Sequence, residues 1–418
     1  MNILFLADNF TPERNAQASR VYERACYWVR WGHQVTVVTC APNFPEGKVY
    51  AGYRNRWRTV EQLDGIRVVR VKTFIAPNAG TLLRIIDFLS FMLSAFLAGC
   101  LERRPDVVAA TSPQFFAAVA GCALAIVRRC PFVLELSDLW PDSIVAVGAM
   151  KRNVALRWLE GVEMFLYQRA TRIVALTASF KQNLVRRGVP EQKVHVVING
   201  VDLSRYSPRP RDLEFASAWN LSATDLVVGY IGTHGMAHAL DNVLDAADLV
   251  RGQGVHFLFV GAGAERERLM AETERRKLPN VTFVPAQPKE MMPAVWSVCD
   301  VALVHLKDTP LFETVIPSKI FEAMGMGKPV LLASPDGEAS RIVRFENNGL
   351  HVLAQRPKEL AAAVLFLKEN HPFVQQLSRR SLAAAPAYSR ERQARDMLQA
   401  LEAAKVGLPV TDLTIQVP

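Results

Sequence analysis

The chain has 418 residues, half of them hydrophobic, which is too long for one typical domain and suits two of roughly 200. Its net charge is +9, and the excess lies in the first 200 residues, which hold 25 Lys and Arg against 15 Asp and Glu, while the remainder holds 24 against 25. That asymmetry points to a polyanionic partner (nucleic acid, an anionic membrane surface or a phosphate-bearing substrate) or to a basic surface with no partner.

Six cysteines (26, 40, 100, 122, 130 and 299) include no C-x-x-C pair and read as small buried apolar residues in a reducing compartment. The opening Met1-Asn-Ile-Leu-Phe-Leu-Ala-Asp8 has no basic segment, and Asp8 ends its apolar run too early for a signal peptide. It is expected to be the first strand of a cytoplasmic protein.

Along the first half, strands are expected at 3–7, 34–39, 67–72, 107–110, 132–136, 173–176 and 194–198, with helices at 18–31 and 154–170. Short apolar runs separated by helices imply parallel strands covered on both faces. Asn199-Gly-Val-Asp202 and the Pro-containing run 207–211 break the pattern, and the domain boundary is placed at 205/206. The alternation restarts with strands at 226–231, 256–260, 281–284, 301–305 and 330–333, and helices at 240–251, 264–276, near 290–298 and from 317. A second domain of 206–385 is expected, then 386–418 with an amphipathic helix over 392–404 and a frayed tail. Two doubly wound domains in tandem bind ligands at the carboxyl ends of their strands, so the loops after strands hold the candidate chemistry.

The loop after the first strand, Asp8-Asn-Phe-Thr-Pro-Glu-Arg-Asn15, lacks the glycines of a dinucleotide fingerprint. After 132–136 comes Ser137-Asp138-Leu-Trp-Pro-Asp142, where Asp138 and Asp142 read either as carboxylates for sugar hydroxyls or a proton, or as helix caps. Gly232-Thr-His234-Gly235-Met-Ala-His238 follows a strand, and its small residues and two histidines suit a phosphate. Gly261-Ala-Gly263 is a nucleotide-contacting loop or a plain tight turn, and Pro285-Ala-Gln287-Pro288 could offer backbone to a flat base. No Cys/His/Asp cluster has metal-ligand spacing.

The most informative run is Pro317-Ser-Lys-Ile-Phe-Glu322-Ala-Met-Gly-Met-Gly-Lys-Pro329. Pro317 opens a helix, Gly325 and Gly327 end it, and Pro329 forbids continuation. Ser318 and Lys319 then stand at a helix N-terminus, which favours an anion, and Glu322 shares their face one turn on. One short helix thus fits a diphosphate at its tip and ribose hydroxyls along its flank, or it is an ordinary helix with solvated charges.

Taken in order, Gly32-His-Gln-Val-Thr-Val-Val-Thr39, Asn199-Gly-Val-Asp202, Val260-Gly-Ala-Gly263, the 317–324 segment and Gly327-Lys-Pro-Val330 resemble family 4 of the glycosyltransferases. Cys40-Ala-Pro-Asn-Phe-Pro-Glu-Gly-Lys48, Leu139-Trp-Pro-Asp-Ser143 and the 230–238 segment look closer to a branch serving bacterial O-antigen, capsule, lipopolysaccharide and exopolysaccharide synthesis, which includes N-acetyl-L-fucosamine transferases. The resemblance implies the GT-B fold, two Rossmann-like domains facing a cleft, with the C-terminal helix crossing back to the first domain. It implies a UDP-sugar donor in the second domain, an acceptor in the first, retention of configuration and no metal or other cofactor.

By the same resemblance Glu322 holds the ribose, and Ile316, Pro317, Ser318 and Lys319 meet the diphosphate and sugar. Gly232, Thr233, Gly261, Gly263 and Gln287 line the nucleotide, and Asp138, His234 and Lys319 serve the reaction. Many members carry a second glutamate where Thr314 stands, one position after Glu313, and an Arg and a Lys in the loop that here offers His234 and His238. The expected activity is transfer of an N-acetylated deoxyhexose to an undecaprenyl-diphosphate-linked glycan, at the inner membrane surface and without nucleic acid. A UDP-sugar 2-epimerase and a non-enzymatic anionic-lipid or nucleic-acid binder are the alternatives.

Residues 88–101 hold no charge; as a helix of 14 residues they would reach about 21 Å, short of a hydrocarbon core of about 30 Å. They form either a buried helix or an interfacial one, held to anionic lipid by Arg54, Arg56, Trp57 and Arg58, with Asn15 on the acceptor side.

Overall fold

The computed structural model describes residues 1–13, 15–44, 46–75, 81–112, 115–139 and 154–407. Two compact units divide the chain, one from Met1–Ile198 joined by the segment that starts at Arg390, the other Asn199–Ser389. The first boundary thus falls seven residues before the expected 205/206, because Val201 bridges to Ser389 and ties 199–206 to the second unit.

The first unit holds an eight-stranded sheet of order β3-β4-β2-β1-β5-β6-β7-β8. Its strands are β1 Asn2–Leu6, β2 Gln34–Cys40, β3 Arg58–Leu63, β4 Ile66–Val71, β5 Val107–Thr111, β6 Phe132–Leu136, β7 Arg172–Ala175 and β8 Val194–Val196. All pairs are parallel except β3 with β4. That edge hairpin was not expected, yet its signal is plain: Asp64-Gly65 both take positive φ (48° and 80°), as a tight two-residue hairpin turn requires.

Helices α1 Ala16–Arg30, α2 Thr81–Leu101, α3 Phe115–Arg128, α4 Val154–Arg169 and α5 Ala178–Arg186 cover the sheet. The Asn15 side chain accepts from the Ala18 N–H at 2.8 Å and caps α1, while its amide donates to Asn9. Its polar atoms are therefore committed to the turn.

The second unit is a six-stranded parallel sheet, β11-β10-β9-β12-β13-β14. Its strands are β9 Leu226–Ile231, β10 Val255–Val260, β11 Val281–Val284, β12 Val301–His305, β13 Val330–Ser334 and β14 Gly349–Leu353. The helices are α6 Leu213–Ala218, α7 Asp241–Leu249, α8 Arg266–Arg276, α9 Met292–Ser297, α10 Lys319–Gly325, α11 Glu338–Glu346, α12 Pro357–Glu369 and α13 His371–Ala384. Gly349 pairs with Val330 so closely that a Cβ there would lie 1.9 Å from the Val330 carbonyl.

The last helix, α14 Arg390–Val406, returns to the first unit. Met397 and Leu401 join Phe5 and Trp28 in one core cluster, and the Trp28 indole donates to the Ala394 carbonyl at 2.8 Å. Arg390 pairs with Glu23 of α1 at 2.7 Å.

Helix α2 differs from its expectation. It has 21 residues rather than 14, about 31 Å. Phe91, Ala95 and Ala98 are buried against the unit, yet only 22% of the window Leu83–Leu101 is buried. Leu83, Ile86, Leu89, Leu93, Leu97 and Leu101 form an exposed stripe at helical spacing. It is not a wholly buried helix, and it extends N-terminally past the charge-free run 88–101 to take in Arg84 and Asp87.

Candidate active site

In the second unit, β9 is flanked by β10 on one side and β12 on the other, so connections leave it in opposite directions and open a crevice at its carboxyl end. Gly232, Gly261 and Gly263, with φ of 142°, 151° and 155°, shape two loops there. The Gly232 N–H donates to the Val260 carbonyl, His234 to Ala262 and Glu265 to His234, at 2.9, 2.9 and 3.0 Å. A Cβ on Gly261 would stand 1.9 Å from the Gly232 carbonyl, and one on Gly263 2.3 Å from that of His234. The G-x-G therefore has a packing duty: it lets the loop after β10 zip onto the loop after β9.

His234 is fully buried, among the rings of Tyr230, Phe259 and Phe283 at 5.9, 6.0 and 5.8 Å. Neither of its ring nitrogens has a hydrogen-bond partner. Burial first, then the charges of Arg266 and Lys319, push its pKa down to about 4, so the imidazole is neutral at pH 7.

Lys319 begins α10, a helix of seven residues whose N-cap Ser318 makes no side-chain cap bond. Its side chain is 9% exposed, and Nζ sits 3.7 Å from the centroid of the Tyr230 ring without a hydrogen-bond partner. A Cβ on Gly232 would lie 2.9 Å from that nitrogen and would push the ammonium aside. Burial lowers its pKa to about 7, against the opposing pull of Glu322.

Half-buried Glu322 receives the indole N–H of the buried Trp296 on Oε2 at 3.1 Å. Ile316, Pro317 and Ser318 form the half-buried approach to α10. Exposed Thr233 offers its carbonyl to the Tyr230 hydroxyl at 2.8 Å. Glu313 is exposed in the turn Pro310–Glu313, and its backbone packs on Gly337.

One expectation changes here. His238 is drawn away from ligand duty: its Nδ1 faces the His305 carbonyl at 3.2 Å, while His305 Nδ1 faces the His238 carbonyl at 2.7 Å. The pair pins the loop to the end of β12, and burial lowers both pKa values to about 4. Gln287 donates its side-chain amide to the Pro285 carbonyl at 2.9 Å and closes the turn whose backbone is the candidate for a flat base. Tyr230, Trp296 and His305 carry this constellation, and no motif in the sequence marks them.

In the first unit Asp138 is half-buried two residues past β6. Beneath it Glu135, fully buried, pairs with Arg20 at 3.0 Å and Arg24 at 2.8 Å. The two guanidinium groups outweigh burial and hold its carboxyl at about 2. Arg20 also donates to the Ser137 hydroxyl, so the pair steadies the backbone that carries Asp138. Asp142 lies outside the described residues. Arg54, Arg56 and Trp57 are exposed, with Lys72 4.9 Å over the Trp57 ring, whereas Arg58 pairs with Glu102 at 2.5 Å. Among the described residues no group of three His, Cys, Asp or Glu has metal-holding geometry.

Residues 17–205 match the description Glycosyltransferase Family 4, and residues 225–370 match Glycosyl transferases group 1. The chain is 25% identical over 335 residues to the putative colanic acid biosynthesis glycosyl transferase WcaI of Escherichia coli (strain K12), covering 78% of this chain and 82% of that one. It is also 25% identical over 384 residues to the GDP-mannose-dependent alpha-mannosyltransferase of Mycobacterium tuberculosis (strain CDC 1551 / Oshkosh), covering 91% and 92%. Sucrose-phosphate synthase from Thermosynechococcus elongatus has the same fold, with a TM-score of 0.77 at 18% identity over 97% of this chain and all of that one. So does Anabaena HepE in complex with UDP-glucose, with a TM-score of 0.71 at 19% identity over 96% and 100%. These relatives are broader in donor and product than the N-acetyl-L-fucosamine branch that the sequence motifs resemble. The chain belongs to the family 4/group 1 glycosyltransferases and is a transferase enzyme of GT-B fold.

Proposed function

We propose that this enzyme moves a sugar from a UDP-sugar to an undecaprenyl-diphosphate-linked glycan at the inner face of the bacterial membrane. The sugar we favour is an N-acetylated deoxyhexose such as N-acetyl-L-fucosamine, with retention of configuration and without a metal.

The single observation that carries the donor assignment is Lys319. A buried ammonium with no hydrogen-bond partner, at the switch point of a parallel sheet, has unmet demand for an anion. Glu322 lies one turn along the same helix, within reach of ribose hydroxyls when a diphosphate meets Lys319. HepE, of like fold, was solved with UDP and with UDP-glucose. In transfer the bond from the anomeric carbon to the diphosphate breaks, and a bond from the acceptor oxygen to that carbon forms. The acceptor proton goes to the departing phosphate oxygen. Lys319, and neutral His234 as a donor, stabilise the charge that develops there. Asp138 is assigned to the transferred sugar or the acceptor hydroxyl.

A GDP-sugar donor is the second reading, favoured by the likeness to a GDP-mannose-dependent enzyme. The exposed stripe of α2 beside Arg54, Arg56 and Trp57 supports docking on anionic lipid, which suits a lipid-linked acceptor. Calorimetry with UDP and GDP, then release of the diphosphate with and without a lipid-linked acceptor, tests the reading. Binding of UDP and acceptor-dependent release are expected; a preference for GDP replaces the donor, and loss of turnover in EDTA restored by magnesium overturns the metal-free step. Flotation on anionic liposomes at low salt, weakened in an Arg54/Arg56→Ala variant, checks the membrane part.

A further inference from the structure

We propose that Arg266 supplies a guanidinium to the donor diphosphate, completing with Lys319 an anion site at the N-terminus of α8. This rests on the nucleotide-donor reading above.

Helix α8 has four arginines, and three are engaged in ion pairs. Arg268 pairs with Asp241 and Glu265, both at 2.6 Å. Arg275 pairs with Glu272 at 2.6 Å, and Arg276 with Glu272 at 2.6 Å and Asp245 at 2.5 Å. Arg266 differs from all of them. Among the described residues its one ion pair is with Glu267 at 3.5 Å, whose side chain is 88% exposed, and its buried Nε has no partner there. A contact so long and so exposed contributes little.

Position gives this unengaged cation its meaning. Arg266 follows the loop that is zipped onto His234, and its own N–H donates to the Gly263 carbonyl at 3.1 Å. Its charge and that of Lys319 both act on the His234 ring. Arg266 opens the helix whose preceding loop is bonded to the His234 backbone, and Lys319 Nζ stands against Gly232 in the loop that carries His234. Two cations from separate elements thus lie at the loops that meet at one buried imidazole; both its nitrogens and the lysine nitrogen are unpartnered among the described residues. Four orphaned polar atoms on these adjoining loops and the helix start facing them suit a charged, oxygen-rich group. The positive dipole end of α8, a helix of 11 residues, adds to the attraction. A planar guanidinium grips phosphate oxygens two at a time, which the Lys319 ammonium cannot do.

The histidines cannot replace Arg266. His234 is neutral at pH 7, and His238 is held by His305. A diphosphate facing Lys319 alone would be undercompensated.

The test compares UDP with uridine, which lacks the diphosphate, by calorimetry on the full chain. Arg266→Gln should weaken UDP by about ten- to a hundredfold and leave uridine unchanged, and Arg266→Lys should recover part of the loss. The salt dependence of UDP binding should also flatten in Arg266→Gln. Arg268→Gln, which breaks an engaged pair in the same helix, should leave the UDP-to-uridine ratio as it is. Equal UDP affinity in wild type and Arg266→Gln overturns this proposal while leaving the donor reading standing. Failure of the wild type to bind UDP or GDP overturns both. If Arg266→Gln melts lower, the ratio measured on folded protein at lower temperature still decides, because a folding defect weakens both ligands alike.

Discussion

Two buried clusters of charge, one in each unit, look alike in the sequence and differ in physics. Around Glu135 the carboxylate is ion-paired: two guanidinium groups lie within 3.0 Å of it, and Arg24 also rests over the faces of Phe5 and Trp28, although Arg24 Nε and Nη1 keep no hydrogen-bond partner among the described residues. Around Lys319 there is no ion pair among the described residues: an ammonium and an imidazole are buried with no hydrogen-bond partner for three of their nitrogens. A cluster held by ion pairs supports the fold, whereas a buried cation with no counter-ion is costly until a ligand arrives.

The largest effect that could break this contrast is in the first cluster. Arg24→Ala should cost roughly 3–5 kcal/mol, because it strands Glu135 without its nearest cation. Denaturant unfolding should record that loss, with UDP affinity of the folded protein unchanged. A loss below about 1 kcal/mol would mean that Arg20 alone suffices.

Lys319→Met should do the opposite. Removing an uncompensated buried ammonium leaves the ligand-free protein as stable as before or more so, while turnover at saturating donor falls by roughly a hundred- to a thousandfold. Normal turnover would remove Lys319 from the reaction.

Glu322→Ala should weaken UDP-sugar binding by roughly ten- to a hundredfold, the worth of a charge-assisted contact to hydroxyls. It also orphans the Trp296 indole, so a modest drop in melting temperature should accompany it. Unchanged affinity with that drop would make Glu322 a brace only.

The smallest effect sharpens the comparison through pH. Glu135 titrates at about 2 in the fold, below its ordinary 4.5, so its contribution is complete above the ordinary value and fades as pH falls toward 2. Lys319 titrates at about 7 rather than 10.5, so between those values the unfolded chain binds the extra proton and ligand-free stability rises with pH. Glu135→Gln should erase the acid slope and Lys319→Met the alkaline one. If both slopes survive, other groups set them.

The sequence by itself determined the two-unit α/β plan, most strands and the nucleotide-side motif. Hydrophobic runs such as Leu226–Ile231 are buried along their whole length, and a period that local can be read directly. It also placed Lys319 at a helix start and Glu322 one turn on. The hairpin turn at Asp64-Gly65 was legible but masked by the polar edge strand Arg58–Leu63, which alternates between half-buried and exposed.

Only the tertiary structure decided the rest, because partners distant in the chain settle it. That Lys319 lies over Tyr230, that His238 is tied to His305, and that Gly261 and Gly263 serve loop-to-loop packing all depend on contacts between separate strands. Likewise Arg266 and Arg268 are identical by residue type and two positions apart, and only the carboxylates that fold against them distinguish an engaged cation from an unengaged one. The half-exposed face of α2 follows the same logic: beyond Asp87 it carries no charge on any side, and burial of Phe91, Ala95 and Ala98 chooses which side is left outside.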